Sequence, residues 1–206
     1  MERGRLKLIV GNMFSNKTGT LILEIETLRS YSHHRNVLVA KPTTDTRSTE
    51  GFIVNSKGEK MEAIELPATH PEKIFNIIRR EESKIGTVVD TIAFDEVQFF
   101  TPKIFGVVGE LLRKGYDVIV AGLMLNFRGE PFGSTLNLIG LCDSINDVQK
   151  LTSYCSSCGA PGPLPQRTID GKPAPYTDEE TLVGGKESYG IACHKCHILP
   201  GKPIYD

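Results

Sequence analysis

Residues 5–23 read Arg5-Leu-Lys-Leu-Ile-Val-Gly-Asn-Met-Phe-Ser-Asn-Lys-Thr-Gly-Thr-Leu-Ile-Leu23. An apolar run, Leu6 to Val10, enters a tight turn, Gly11 to Thr18, and the turn leads into a helical pattern. Strand, loop and helix in that order are the setting of a phosphate-binding loop. A helix N-terminus offers unpaired N–H groups and the positive end of a dipole, and both suit an anion. Gly11 lets the backbone turn, Lys17 reaches the outer phosphates, and the Thr18 hydroxyl suits magnesium. Asn16 stands where the strict pattern G-x-x-x-x-G-K-[ST] has its second glycine, and asparagine tolerates positive φ better than most residues. On this stretch alone, an ordinary strand–helix turn with a chance Lys-Thr pair stays open.

The chain downstream extends the pattern. Val88 to Phe94 reads as a strand and ends in Asp95-Glu96. An acidic pair after an apolar strand is the second half of phosphate-loop chemistry: one carboxylate holds magnesium, directly or through water, and the other takes a proton. The alternative is a strand edge with two solvated acids. Asn36 to Ala40 is a further buried strand, followed by Lys41-Pro-Thr-Thr-Asp-Thr-Arg47. Polar residues at the carboxyl end of such a strand lie on the ligand side of an open α/β sheet, so Asp45 and Arg47 are site candidates. Gly51–Val54 and Met61–Leu66 predict a hairpin or strand pair.

Helical spacing runs through Leu21, Ile22, Ile25 and Leu28. It recurs after Pro71 through Ile74, Phe75, Ile77 and Ile78, and after Pro102 through Ile104, Phe105, Val107, Val108, Leu111 and Leu112. His33 and His34 fall between a helix and a strand and read as an exposed loop. Tyr116 to Leu123 is the last clear strand of this series. The alternation predicts an α/β fold, a parallel sheet with right-handed crossovers and helices on both faces.

The 206 residues are enough for one sizeable core with a small appendage. A net charge of −1 argues against a general nucleic-acid or membrane-surface binder. No apolar run is long enough to span a bilayer, and the N-terminus shows no signal-peptide pattern, so an intracellular, cytoplasmic protein is expected. From Leu151 the character changes. Cys155-Ser-Ser-Cys158 and Cys193-His-Lys-Cys196 bracket a Pro/Gly-rich segment. Two C-x-x-C pairs point to structural zinc on Cys155, Cys158, Cys193 and Cys196, with His194 or His197 as a substitute for one sulfur. A redox pair is the lesser alternative. The fifth cysteine, Cys142, reads as a small buried hydrophobe. The expected division is residues 1–150, a nucleotide-binding α/β domain, and 151–206, a zinc-stapled lasso.

Taken together, Gly11–Thr18, Lys41–Arg47, Phe94–Phe100, Ala121–Phe132, Asp170–Tyr176, Val183–Gly185, Glu187–Tyr189 and both cysteine pairs resemble the thymidine kinase family of the type with a RecA-like domain and a zinc lasso. The resemblance implies ATP-dependent phosphorylation of the 5′-hydroxyl of thymidine, or deoxyuridine, in nucleotide salvage by a homotetramer, without nucleic-acid or membrane partners. It implies Glu96 as general base. It places Gly11, Ser15, Asn16, Lys17, Thr18, Asp45, Arg47, Asp95 and Gln98 about the phosphates and magnesium. Met13, Phe99, Phe127, Phe132, Val183, Gly184, Gly185 and Tyr189 would surround the nucleoside, with Arg167 helping to close the site. Three positions depart from the family pattern: Asn16 for glycine, Met124 for an aspartate, and Pro165 for a threonine. They bear on rate, phosphate geometry and base choice. The rival classes are another phosphate-loop ATPase with a zinc module and a non-catalytic nucleotide-binding regulator.

Overall fold

A computed structural model describes residues 2–31, 35–45, 49–182 and 188–203. His33, His34, Arg47, Val183, Gly184 and Gly185 lie outside the described residues. The chain runs β1 (Leu6–Gly11), α1 (Lys17–Tyr31), β2 (Val37–Pro42), β3 (Phe52–Val54), β4 (Lys60–Glu62), β5 (Ile64–Leu66), α2 (Ile74–Ile85), β6 (Thr91–Phe94), α3 (Lys103–Arg113), β7 (Asp117–Leu123), α4 (Thr135–Leu138) and β8 (Val148–Leu151). Five short strands follow: β9 (Ser153–Tyr154), β10 (Pro161–Gly162), β11 (Leu164–Ile169), β12 (Lys172–Pro173) and β13 (Tyr189–Ala192).

The main sheet has six strands in the order β5-β2-β6-β7-β1-β8, and every pairing is parallel. Its inner strands β1, β2, β6 and β7 are buried nearly throughout because both faces are covered there. Strand side chains alternate, so β1 sends Leu6, Leu8 and Val10 to one face and Ile9 to the other. Ile74 and Ile78 of α2, Ile104, Val107, Val108, Leu111 and Leu112 of α3 and Leu138 of α4 fill the first face. Leu21, Ile22 and Ile25 of α1, with Ile53 and Met61 from the β3–β4 hairpin, fill the second. This is the expected three-layer α/β arrangement.

Some boundaries differ from the sequence reading. The run Met61–Leu66 is not one strand. It divides at Ala63, so that β4 pairs antiparallel with β3 while β5 joins the edge of the main sheet beside β2. Val88 lies outside β6 and is 63% exposed. Phe105 sits at helical spacing but is 40% exposed, because its ring lies at the margin of the stripe that α3 buries. Met124 is half-buried against the first core face, so the apolar side chain is accommodated by packing.

Past Leu151 the chain forms small antiparallel pairs, β9 with β10 and β11 with β12 and β13. They lean on the main sheet through polar locks. Ser153 Oγ donates to the Met13 carbonyl at 3.0 Å, and the Asn12 side-chain amide donates to the Gly162 carbonyl.

Candidate active site

The carboxyl ends of β1, β6 and β7 meet at one edge of the sheet. Gly11 closes β1, but its φ is not positive. Positive φ falls instead on Phe14 (59°) and Asn16 (63°). Asn16 therefore takes the conformation for which a glycine is expected. Gly11 is required by clearance: a Cβ there would lie 2.5 Å from the Leu151 carbonyl oxygen and 2.7 Å from Ser15 Oγ. Lys17 opens α1, is 8% exposed, and its ammonium donates to the Asn12 carbonyl at 2.7 Å. Ser15 Oγ donates to the same carbonyl at 2.9 Å. The Asn12 main chain thus gathers both side chains of the loop, a function no sequence signal marks.

Opposite the loop, the Thr18 hydroxyl donates to Asp95 Oδ2 at 2.9 Å, and the Glu96 N–H donates to Asp95 Oδ1 at 3.0 Å. Asp95 is 4% exposed. Burial, reinforced by the neighbouring Glu96 charge, pushes its carboxyl up from 3.8 to about 7; Thr18, the Glu96 N–H and Lys17 pull the other way. A buried carboxylate held this high is short of positive charge, and a divalent cation between Thr18 and Asp95 would supply it.

The raised carboxyl has a consequence for stability. Between about pH 4 and pH 7 the folded chain holds a proton on Asp95 that the unfolded chain releases, so stability falls as pH rises through that window. Without Mg2+, Asp95→Asn is expected to be the more stable protein at pH 8, because it carries no buried charge there. The gain should shrink as pH falls toward 4, while turnover is lost. Urea unfolding at pH 5 and pH 8 reads this directly, and an unchanged difference between the two would refute it.

Glu96 follows in the left-handed region, φ 50°, which turns its side chain back from β6 into the cleft. Such a conformation in a non-glycine residue is costly and persists only where the surroundings impose it. Asp45, Asn16, Lys17, Thr18, Asp95, Glu96, Met13 and Leu123 together line a polar chamber of about 240 Å3. Val54, Asn55 and Ser56 of the β3–β4 turn close its far side, a contribution the hairpin pattern did not disclose.

A second, apolar chamber of about 20 Å3 adjoins it, lined by Met13, Phe99, Phe127, Phe132, Pro165 and Tyr189 among others. Phe99 and Phe132 meet edge-to-face with centroids 5.7 Å apart. Phe127 is 3% exposed, and the Arg167 guanidinium lies 5.1 Å from its ring centroid. Phe100 instead packs inward on Phe94. Arg167 is buried in an ion pair with Asp178 at 3.0 Å and donates to the Glu179 carbonyl. Asn126 donates to Glu180 at 2.8 Å, and Tyr189 donates to the Leu182 carbonyl at 2.9 Å. These bonds hold residues 178–182 at the aromatic pocket, which Glu180, Thr181 and Leu182 help to line.

The sulfurs of Cys155, Cys158, Cys193 and Cys196 all lie within 4.8 Å of one another, with Cys158 and Cys193 at 3.7 Å. Thiolates around tetrahedral zinc, with bonds of about 2.3 Å, stand about 3.8 Å apart, so the donor set fits. Backbone N–H groups led by that of Cys193 lower the Cys155 thiol to about 6, and the adjoining sulfurs push Cys196 up to about 12. The His197 ring sits 3.0 Å from the Phe127 carbonyl, away from any ligand role. The group of four sulfurs contains no histidine.

A family model described as thymidine kinase matches residues 4–197. The chain belongs to the thymidine kinase family. It is a phosphotransferase acting on thymidine, and the match extends from β1 through the second cysteine pair, so both the sheet and the zinc-site segment belong to the family's pattern. Among the described residues, no helix is long and apolar enough to cross a membrane.

Proposed function

We propose that this thymidine kinase transfers the γ-phosphate of ATP to the thymidine 5′-hydroxyl, with the phosphates in the polar chamber and the base in the aromatic one. The observation that carries the reading is that Met13 and Leu123 wall both chambers, while Glu96 lines the polar one beside them. A nucleoside seated on the aromatics brings its 5′-carbon to the junction. There Glu96 is the general base for the hydroxyl proton. Lys17 leaves the Asn12 carbonyl for the phosphates, and main-chain N–H groups at the start of α1 add positive potential. Thr18 and Asp95 would hold Mg2+, which when bound neutralises charge on the transferring phosphoryl group. Asp45 borders the same chamber, and Ser15 and Asn16 shape the loop. The apolar chamber is narrower than a nucleoside, so thymidine binding widens it.

Family membership and the cleft support ATP as donor, and membership supports a homotetramer in cytoplasmic nucleotide salvage. We divide the chain into residues 1–150 and 151–206; β8, the last strand of the main sheet, runs one residue past that line to Leu151 before the small antiparallel pairs begin. A coupled assay for ADP release tests the reading. Release must depend on both thymidine and Mg2+; thymidine-independent hydrolysis at the same rate would favour the ATPase class instead.

A further inference from the structure

We infer that Gln98 is a positioning residue for the base Glu96, a wedge between Glu96 and the end of β7 rather than a ligand of phosphate or magnesium. The inference rests on the reading of Glu96 as general base. Gln98 lies in the single 3-10 turn Val97–Phe99 and is 3% exposed. Its Oε1 accepts the Leu123 N–H at 2.9 Å, and its Nε2 donates to Glu96 Oε2. The first bond fixes the second. A backbone N–H is only a donor, so the oxygen of the amide must face Leu123, and the nitrogen is left facing Glu96. The hydrogen bond from Nε2 is assisted by the carboxylate charge, which makes it roughly twice as strong as a neutral one.

The surroundings allow the amide little other choice. A Cβ on Gly122 would lie 2.9 Å from Gln98 Oε1 and 2.6 Å from Val97 Cγ1. A Cβ on Gly133, whose φ is +54°, would run into the Gln98 carbonyl oxygen. Two glycines thus leave room for the Gln98 turn, and the turn holds the left-handed Glu96. The path runs from β7 through one amide to the base. Leu123 walls both chambers, so the same strand residue that borders the substrates also sets the base's angle. A base misaligned by about 1 Å loses on the order of a hundredfold in rate.

The test compares Gln98→Met, Gln98→Glu, Glu96→Gln and the double variant Glu96→Gln/Gln98→Met, each as the full zinc-loaded chain. Gln98→Met removes both bonds at similar volume. Its kcat is expected to fall about ten- to a hundredfold, with KM for ATP, KM for thymidine and the Mg2+ requirement within about twofold of the parent. Gln98→Glu keeps an acceptor for Leu123 but sets a second negative charge against Glu96, so it should be the slower of the two. A role confined to packing against β7 predicts the opposite order, and a magnesium ligand predicts a changed Mg2+ requirement. In the Glu96→Gln background, Gln98→Met should add less than about twofold, because the residue it positions has gone. If Gln98→Met does not fold, Gln98→Glu carries the same kcat-against-KM test. Glu96→Gln at parental turnover overturns the base reading and this inference with it. Glu96→Gln collapsed with Gln98→Met at parental kcat overturns this inference alone.

Discussion

Glu96→Gln is expected to lower kcat by about a hundredfold to ten-thousandfold, the range that a positioned base contributes, with thymidine and ATP still bound. The amide matches the carboxylate in size, so the left-handed turn at residue 96 and the wall of the polar chamber survive. What is lost is the carboxylate proposed to accept the 5′-hydroxyl proton. A dissociative phosphoryl transfer places modest demands on the nucleophile, which is why the loss is expected to be large without being absolute. Steady-state kinetics beside thymidine binding by calorimetry separates the two quantities. A weaker thymidine complex with an unchanged single-turnover rate would assign Glu96 to binding instead.

The second large effect concerns the four-sulfur site. Chelation, or Cys193→Ser, is expected to release one zinc per chain and to unravel the strands after Leu151, because zinc binding to such sites supplies about 10–16 kcal/mol. The short pairs β9–β10 and β11–β12–β13 have little core of their own: Leu164, Ala174, Ile191 and Ala192 are the main buried apolar residues there besides two cysteines. The main sheet should remain. Hydrogen exchange would show fast exchange over residues 153–182 and 188–192 while β1, β6 and β7 stay protected. Thymidine affinity should fall with it, since Pro165 and Tyr189 wall the aromatic chamber. Loss of protection throughout the sheet would contradict this, as would full thymidine affinity without metal. The chain contains no tryptophan, so exchange is more informative than fluorescence.

Much of this is legible in the sequence because it is local. Leu6 to Leu23 carries its own strand, turn and helix signals, and the structure returns β1 and α1 with Asn16 at positive φ between them. The Asp95-Glu96 pair announces itself at the end of an apolar run, and two C-x-x-C pairs can close on one ion from any distance along the chain. What the sequence conceals depends on contacts between distant residues. Gly11 resembles a turn residue, but its reason is the carbonyl of Leu151, 140 positions away and visible only once β8 lies beside β1. Met61–Leu66 resembles one strand because alternation cannot reveal where a chain changes partners. Gln98 and Asn12 carry ordinary amides, and only folding shows that one bonds Glu96 and the other gathers Lys17 and Ser15. Arg167 is named by the family resemblance as helping to close the site, and the contacts it makes show only in the fold. Its partners, Asp178 and the Glu179 carbonyl, lie in a segment without periodicity, where no pattern could have foretold them.

The most direct measurement follows the phosphate itself. The zinc-loaded protein is incubated with Mg2+, ATP labelled at the γ-phosphate and thymidine, and the products are resolved, with 5′-deoxythymidine in a parallel reaction. Label is expected in thymidine 5′-monophosphate, one per ADP formed, and none transferred to the analogue that lacks the hydroxyl. Label released as free phosphate at the same rate with either compound would contradict it.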